Sequence, residues 1–359
     1  MDDDFATAMR RSLEQTRAGK PLEATRTIQA ALSGTGGASA QDAPEPEAPP
    51  RLRSRSPRKR LSQVISELSR RPPGLDAATE RKVHAPSVPD GAVFERRHHA
   101  GPHGARDYHL YRPSDLDAPV RGVILMLHGC TQTPEDFATG TRMNDHAERH
   151  GLIVAYPEQA PAHNATRCWN WFRPGDRTRS GGEAALLADL AATVAADHGV
   201  LHGRVFAAGL SAGGAMAAIL AQTHPEIFAA AGVHSGLAPG SASDVVSAFG
   251  AMRGDPVPDA QPLNAPAIIF HGSADSTVAP VNAGRLAGPL ASAVPLTGEA
   301  AGRRYDVLRA LNAGGHPVEV WRIEGAGHAW SGGDAGGSYA DTEGPDASAE
   351  MVRFFLEQA

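Results

Sequence analysis

Cysteine is scarce, with two residues in a chain of 359. That excludes a disulfide-dense mini-protein and any four-cysteine zinc site. Basic charge is not in excess. Lys and Arg number 34 against 40 Asp and Glu, for a net charge of −6, so there is no global case for nucleic-acid binding. No apolar run reaches the roughly 18 residues that a spanning helix needs. The P-loop, the G-x-G-x-x-G turn after a strand and the H-E-x-x-H zinc spacing are missing as well. The expectation is therefore chemistry with no cofactor and no metal. The first ten residues, MDDDFATAMR, place acid where an export signal places positive charge, and no apolar stretch follows. The expected compartment is the cytoplasm.

What is present is enough for a sizeable core: 41% hydrophobic and 21% charged residues. Residues 1–33 read as a helical hairpin. Phe5, Met9 and Leu13 recur at four-residue spacing, Ala18-Gly19-Lys20-Pro21 breaks the pattern, and Leu22, Ile28 and Leu32 form a second, looser face. Such a hairpin buries little alone and is expected to dock on a protein partner or on another copy. Residues 34–85 read as a disordered linker with one short helix. APEPEAPP (43–50) stiffens it, RLRSRSPRKR (51–60) charges it, and Leu61, Val64, Ile65 and Leu68 mark the helix. From residue 86 to 359 the pattern changes. Val93–His98 and Arg106–Tyr111 read as a strand pair around Gly101–Gly104. GVILML (122–127), GLIVAYP (151–157), RVFAAG (204–209), AAAGVHSG (229–236), APAIIFHG (265–272) and PVEVWRI (317–323) read as strands, most of them continuous apolar runs. Stretches near 135–149, 183–197, 212–223, 301–313 and 346–357 read as helices. The alternation predicts one α/β domain: a doubly wound, mostly parallel sheet with helices on both faces.

Gly209-Leu210-Ser211-Ala212-Gly213 matches G-x-S-x-G, between a predicted strand and a predicted helix. The sharp turn lifts the serine hydroxyl out of the backbone, and the helix N-terminus offers N–H groups to an oxyanion. A serine hydroxyl needs a neutral imidazole in reach and a carboxylate to orient that ring. In α/β-hydrolases the acid and then the histidine follow the serine. Asp275 in HGSADSTV and His328 in EGAGHAWSGG both come just after predicted strands, where open α/β sheets build their sites. His271 reads as a packed residue, and His234 as a residue lining the cleft. His128-Gly129-Cys130 follows a strand. That turn is expected to supply one oxyanion N–H from Cys130, the other coming from Ala212. Cys130 and Cys168 read equally as free thiols or as a bridge. Trp169 and Trp171, in the aromatic stretch CWNWF, read either as a small core under a long loop or as an apolar wall for substrate, with Trp330 completing that wall.

These residues, as LHGCTQTPEDFA (127–138), YPEQ (156–159), CWNWF (168–172), GLSAGGAM (209–216), HSG (234–236), HGSAD (271–275) and GHAWSGG (327–333), together resemble the polyhydroxybutyrate (PHB) depolymerase family of esterases, related to feruloyl and acetylxylan esterases. The resemblance covers residues 90–359. It implies an α/β-hydrolase fold, a Ser211–Asp275–His328 triad, and Cys130 and Ala212 at the oxyanion hole. It also implies hydrolysis of short-chain hydroxyalkanoate esters, as polymer or oligomers, with a polymer surface or granule as partner. It favours a Cys130–Cys168 bridge, which a cytoplasmic location disfavours. Many members are secreted, so an extracellular location is the alternative. This chain shows neither an export signal nor a recognisable C-terminal substrate-binding domain, and its first 90 residues lie outside the resemblance. The competing expectations are a general, feruloyl- or acetyl-type carboxylesterase on small soluble esters, and a granule- or surface-binding protein.

Overall fold

The computed structural model describes residues 85–115, 119–290 and 295–359. The expected helical hairpin, and all of the expected linker but residue 85, lie outside the described residues. The chain enters through an antiparallel hairpin, β1 (Val93–Gly101) and β2 (Gly104–Arg112), closed where Gly101 faces Gly104. Then come β3 (Gly122–Leu127), β4 (Leu152–Pro157), β5 (Val205–Leu210), β6 (Phe228–His234), β7 (Ala267–Gly272) and β10 (Pro317–Ile323). With β8 (Leu296–Ala300) and β9 (Arg303–Leu311) at one edge, these six form the parallel centre of one sheet ordered β1-β2-β4-β3-β5-β6-β7-β10-β9-β8. Strands β3, β4, β5 and β7 are buried along their whole length. That explains their unbroken apolar sequences, since a parallel strand between two helix layers has no wet face.

The expected helix over 301–313 is not formed. Residues Leu296–Ala300 (β8) and Arg303–Leu311 (β9) make an antiparallel hairpin on the far edge of the sheet. Its turn is Ala301-Gly302, both at positive φ (42° and 80°), the conformation that two-residue hairpins require. The Arg- and Leu-rich composition imitates a helix. Yet Tyr305 and Val307, two apart, turn inward, and Tyr305 packs on Trp321 of β10, the period of a strand.

Helices α1 (Pro134–Thr141), α2 (Met143–His150), α3 (Gly182–Asp197), α4 (Ala212–Thr223), α5 (Val245–Arg253), α6 (Val281–Ala287) and α7 (Ala347–Glu357) complete the described fold. Where one helix was expected near 135–149, Arg142 at φ 53° separates α1 from α2. Helices α3, α4 and α6 bury apolar faces on one side of the sheet. Helices α1, α2 and α7 cover the other. Helix α5 leaves Val245, Val246 and Phe249 exposed and buries only the small Ala248 and Ala251, so its large apolar residues do not mark a core face. Its Asp244/Ser247 capping box starts it instead. No described helix is long and apolar enough to cross a membrane.

Candidate active site

Ser211 sits between β5 and α4 at φ 58°, ψ −118°, a conformation that a serine adopts only under constraint. The constraint is visible in its neighbours. A Cβ on Gly213 would fall onto the Leu127 carbonyl, and one on Gly209 would strike Gly213 and Leu127. Only glycines let α4 start this close to β3 and β5. The Ser211 N–H donates to the His234 carbonyl (2.9 Å), and its carbonyl accepts from Ala215 N–H (2.9 Å). Ala212 is the first residue of α4, so its N–H has no intrahelical carbonyl to meet.

Asp275 follows β7 and His328 follows β10. These strands are neighbours, so the two loops meet. His328 Nδ1 lies 2.8 Å from Asp275 Oδ2. The other carboxylate oxygen accepts the N–H groups of Thr277 (2.9 Å) and Val278 (2.8 Å). Burial pushes the Asp275 carboxyl up, but His328, by hydrogen bond and charge, and the Val278 N–H outweigh it and hold it below its ordinary value. An ionised Asp275 accepts a hydrogen bond from Nδ1–H of a neutral ring, which leaves Nε2 as the basic atom. His271, expected to be a packed residue, is buried. Its Nε2 donates to the Val278 carbonyl (2.8 Å) and lies 3.5 Å from Asp275 Oδ2.

Ser211 and His328 share no hydrogen bond among the described contacts. They are linked through His234 at the end of β6, the strand between β5 and β7. The His234 carbonyl holds Ser211 N–H, and its ring Nε2 accepts from Ser331 N–H at 3.1 Å, three residues beyond His328. His234 is 1% exposed and stacks on Phe270 and Trp330. Burial and the nearby His271 push its pKa down to about 3. The expectation that His234 lines the cleft is corrected: it is a neutral, buried tie between two loops.

The turn after β3 is fixed peptide by peptide. His128 Nδ1 donates to the Gly129 carbonyl (2.7 Å), and Nε2 accepts from Gln159 N–H (3.1 Å). Burial holds this ring neutral, with a pKa lowered to about 4. The His128 carbonyl accepts from Trp169 Nε1 (3.0 Å), and Gly129 N–H donates to Gln132 Oε1 (2.9 Å). In a trans peptide C=O and N–H point opposite ways. Pinning the Gly129 carbonyl therefore aims Cys130 N–H in the other direction. A Cys130–Cys168 disulfide and the Thr131 N–H to Thr166 carbonyl bond (2.8 Å) clamp the same turn to the loop over 158–182. The bridge reading of the two cysteines is the one the structure adopts.

Of the two readings of Trp169 and Trp171, the core is the one the structure adopts, and Trp330, expected to complete a substrate wall, is core as well. Trp169 is fully buried and braces the turn. Trp171 packs edge-on against Phe172 within the core. Trp330 is buried between Phe137 and His234, with its indole N–H on Ser348. Each is 5% exposed or less, too little to meet substrate. Gln132, Gln159 and Tyr339 also belong to the region, though no role for them shows in the sequence. Gln159 stands in the YPEQ stretch, but nothing in a lone glutamine signals that its N–H will hold a histidine. Among the described residues no group of three or more His, Cys, Asp or Glu is arranged to hold a metal ion.

The family model described as Esterase PHB depolymerase matches residues 106–305. Poly(3-hydroxyalkanoate) depolymerase C of Paucimonas lemoignei is 36% identical over 187 residues, 47% of this chain and 44% of that protein. A probable acetylxylan esterase A of Aspergillus fumigatus is 31% identical over 235 residues, 60% of each chain. The chain thus spans about half the length of these curated relatives. Among solved structures, an acetyl xylan esterase from Aspergillus awamori superposes with a TM-score of 0.57 at 21% identity, covering 74% of this chain and 100% of that one. That likeness establishes the α/β-hydrolase fold. The matched residues run from β2 through the turn at Cys130, the elbow at Ser211 and the loop of Asp275, and on this ground the chain belongs to the esterase PHB depolymerase family.

Proposed function

We propose that this chain is a serine carboxylic-ester hydrolase acting on short-chain polyhydroxyalkanoate, as polymer or oligomers. The observation carrying the reading is the Asp275–His328 hydrogen bond (2.8 Å) on loops tied to the strained Ser211 turn. In this reading His328 Nε2 takes the Ser211 proton as Oγ attacks the ester carbonyl. Asp275 fixes the tautomer and stabilises the imidazolium. The N–H groups of Ala212 and Cys130 hold the oxyanion. His328 then gives its proton to the leaving alkoxide, and water repeats the cycle on the acyl-enzyme. The substrate class is supported by the depolymerase relative. The acetylxylan esterase relative, aligned over a longer stretch, supports a second reading, an acetyl-type carboxylesterase. The paired cysteines favour an oxidising compartment over the cytoplasm.

The test is initial rates on p-nitrophenyl acyl esters of rising chain length, beside clearing of amorphous polyhydroxybutyrate suspensions, for wild type and Ser211→Ala. Clearing that depends on Ser211 is the expected result. Turnover of short esters without clearing would select the second reading. Undiminished hydrolysis by a clean Ser211→Ala preparation would overturn both.

A further inference from the structure

With the tryptophans buried, one aromatic ring stands open beside the candidate base. Tyr339 is 36% exposed. Its ring meets the His328 imidazole edge-on, with centroids 6.4 Å apart and planes at 79°. Its backbone lies at φ 51°, where a bulky side chain is rarely found unless its surroundings impose it. Those surroundings are explicit. Ser338 N–H and hydroxyl both donate to the Asp136 carboxylate, and the Ser338 carbonyl accepts from Gln132 Nε2 (2.9 Å). The Tyr339 carbonyl accepts from Trp330 N–H (2.7 Å), at the start of the short ladder pairing β11 (Trp330–Ser331) with β12 (Ala340–Asp341). Gly337 lies so close to Gly140 of α1 that no Cβ would fit between them. Gln132 also holds the Gly129 N–H, so one side chain ties Ser338, next to Tyr339, to the oxyanion turn.

Such a loop holds a strained tyrosine at one angle. Core packing does not require this, because the ring is open to solvent. Resting on the esterase reading above, we propose that Tyr339 lines the subsite for the alcohol part of the ester and discriminates between leaving groups. The reasoning is positional. His328 must protonate the leaving oxygen, so that oxygen comes within hydrogen-bond distance of Nε2. Any substituent on it then lies next to whatever ring packs against the imidazole. In a polyester the substituent is the next hydroxyacyl unit, and an aromatic ring at that place favours an extended, partly apolar chain over a methyl group.

The alcohol has departed once the acyl-enzyme forms, which gives the test its internal reference. Wild type, Tyr339→Ala and Tyr339→Phe would be compared on methyl, butyl and benzyl acetate by kcat/KM. Deacylation would be read from the burst and steady state on p-nitrophenyl acetate. All three acetates pass through the same acetyl-enzyme. The expected result is a loss in Tyr339→Ala that grows with the alcohol and is about tenfold larger for benzyl than for methyl acetate, the upper range for an aromatic contact. Deacylation should change far less, and Tyr339→Phe should recover most of the preference. A uniform loss across the alcohols with an equal loss in deacylation would make Tyr339 a support for His328 and overturn the proposal. So would an unchanged alcohol preference. Tyr339→Gly, which suits the positive φ, repeats the truncation should the alanine variant misfold. Failure of the esterase reading would show in wild type itself, as no Ser211-dependent acetate hydrolysis; failure of this inference would show only in the variants.

Discussion

The two sides of Ser211 are held in different ways. On one side, the turn at Cys130 is fastened by a disulfide, a buried indole, a neutral histidine and a glutamine. The three hydrogen bonds there each end on a backbone group of the turn, and none of them is made by an ionised group. On the other, His328 is set by a carboxylate that is itself fixed by two backbone N–H groups. The contrast follows from the task proposed for each. A backbone donor has only a direction to keep, so dry and redundant packing serves it. A base must change its proton, so it needs a charged partner and a partly open ring. His328 stays partly accessible, whereas His128 and His234 are 1% exposed.

The largest expected effect breaks the charged side. Asp275→Asn keeps the shape but offers an amide to His328 Nδ1, and it favours the wrong tautomer. Under the proposed mechanism kcat should fall about 10^4-fold with KM little changed. Hydrolysis of p-nitrophenyl acetate measures it. A loss below about tenfold would mean that another group, His271 included, orients the base.

A pH titration of stability sharpens the comparison next. His128 and His234 remain neutral in the fold, with pKa values held near 4 and 3 by burial. In the unfolded chain both would accept protons near the ordinary 6.5. Below that pH the unfolded state binds more protons, so stability falls as pH drops from about 6.5 toward 4. At pH 5 each ring should cost about 2 kcal/mol relative to pH 7 or above. Other buried histidines, His271 among them, push the same way. Asp275 acts elsewhere. Its lowered pKa lends stability that is lost only as pH falls through that value, below the ordinary 3.8. Urea midpoints at pH 7 and pH 5 test this. A midpoint that rises at pH 5 would contradict the neutral rings.

How far the sequence could be read follows the same division. The central strands were legible because a strand buried on both faces must be apolar throughout. The elbow was legible because two glycines and a serine at a strand end leave few other arrangements. Asp275 and His328 were legible as strand-end residues, and the structure joins them. The β8–β9 hairpin was not, because half its residues face solvent and their composition suits a helix. Trp169, readable as core or as cleft wall, is core, and His234, read as lining the cleft, is buried. Residue type shows what a side chain can do, whereas burial decides whether it does so toward substrate or toward the backbone. Gln132 and Gln159 stand in stretches that carry the resemblance, but their contacts with Ser338, Cys168 and Glu183 join distant segments and cannot be read from a single sequence.

The smallest expected effect tests the neutral side. Trp169→Phe deletes the indole N–H that holds the His128 carbonyl and leaves that carbonyl buried without its donor. The stability cost should be about 1–3 kcal/mol. If the bond only stabilises the core, catalysis should not follow. If it fixes the direction of Cys130 N–H, the loosened turn should lower kcat by about tenfold with KM unchanged, a fraction of what losing an oxyanion donor outright costs. Trp171→Phe is the control. Trp171 is nearly as buried and packs in the same core, yet no described hydrogen bond ties its indole to the turn. Comparable destabilisation in both variants with a kcat loss in Trp169→Phe alone would assign the indole N–H to the oxyanion geometry. Equal kcat losses would reduce it to packing, and the contrast between the two sides of Ser211 would then rest on the disulfide and His128.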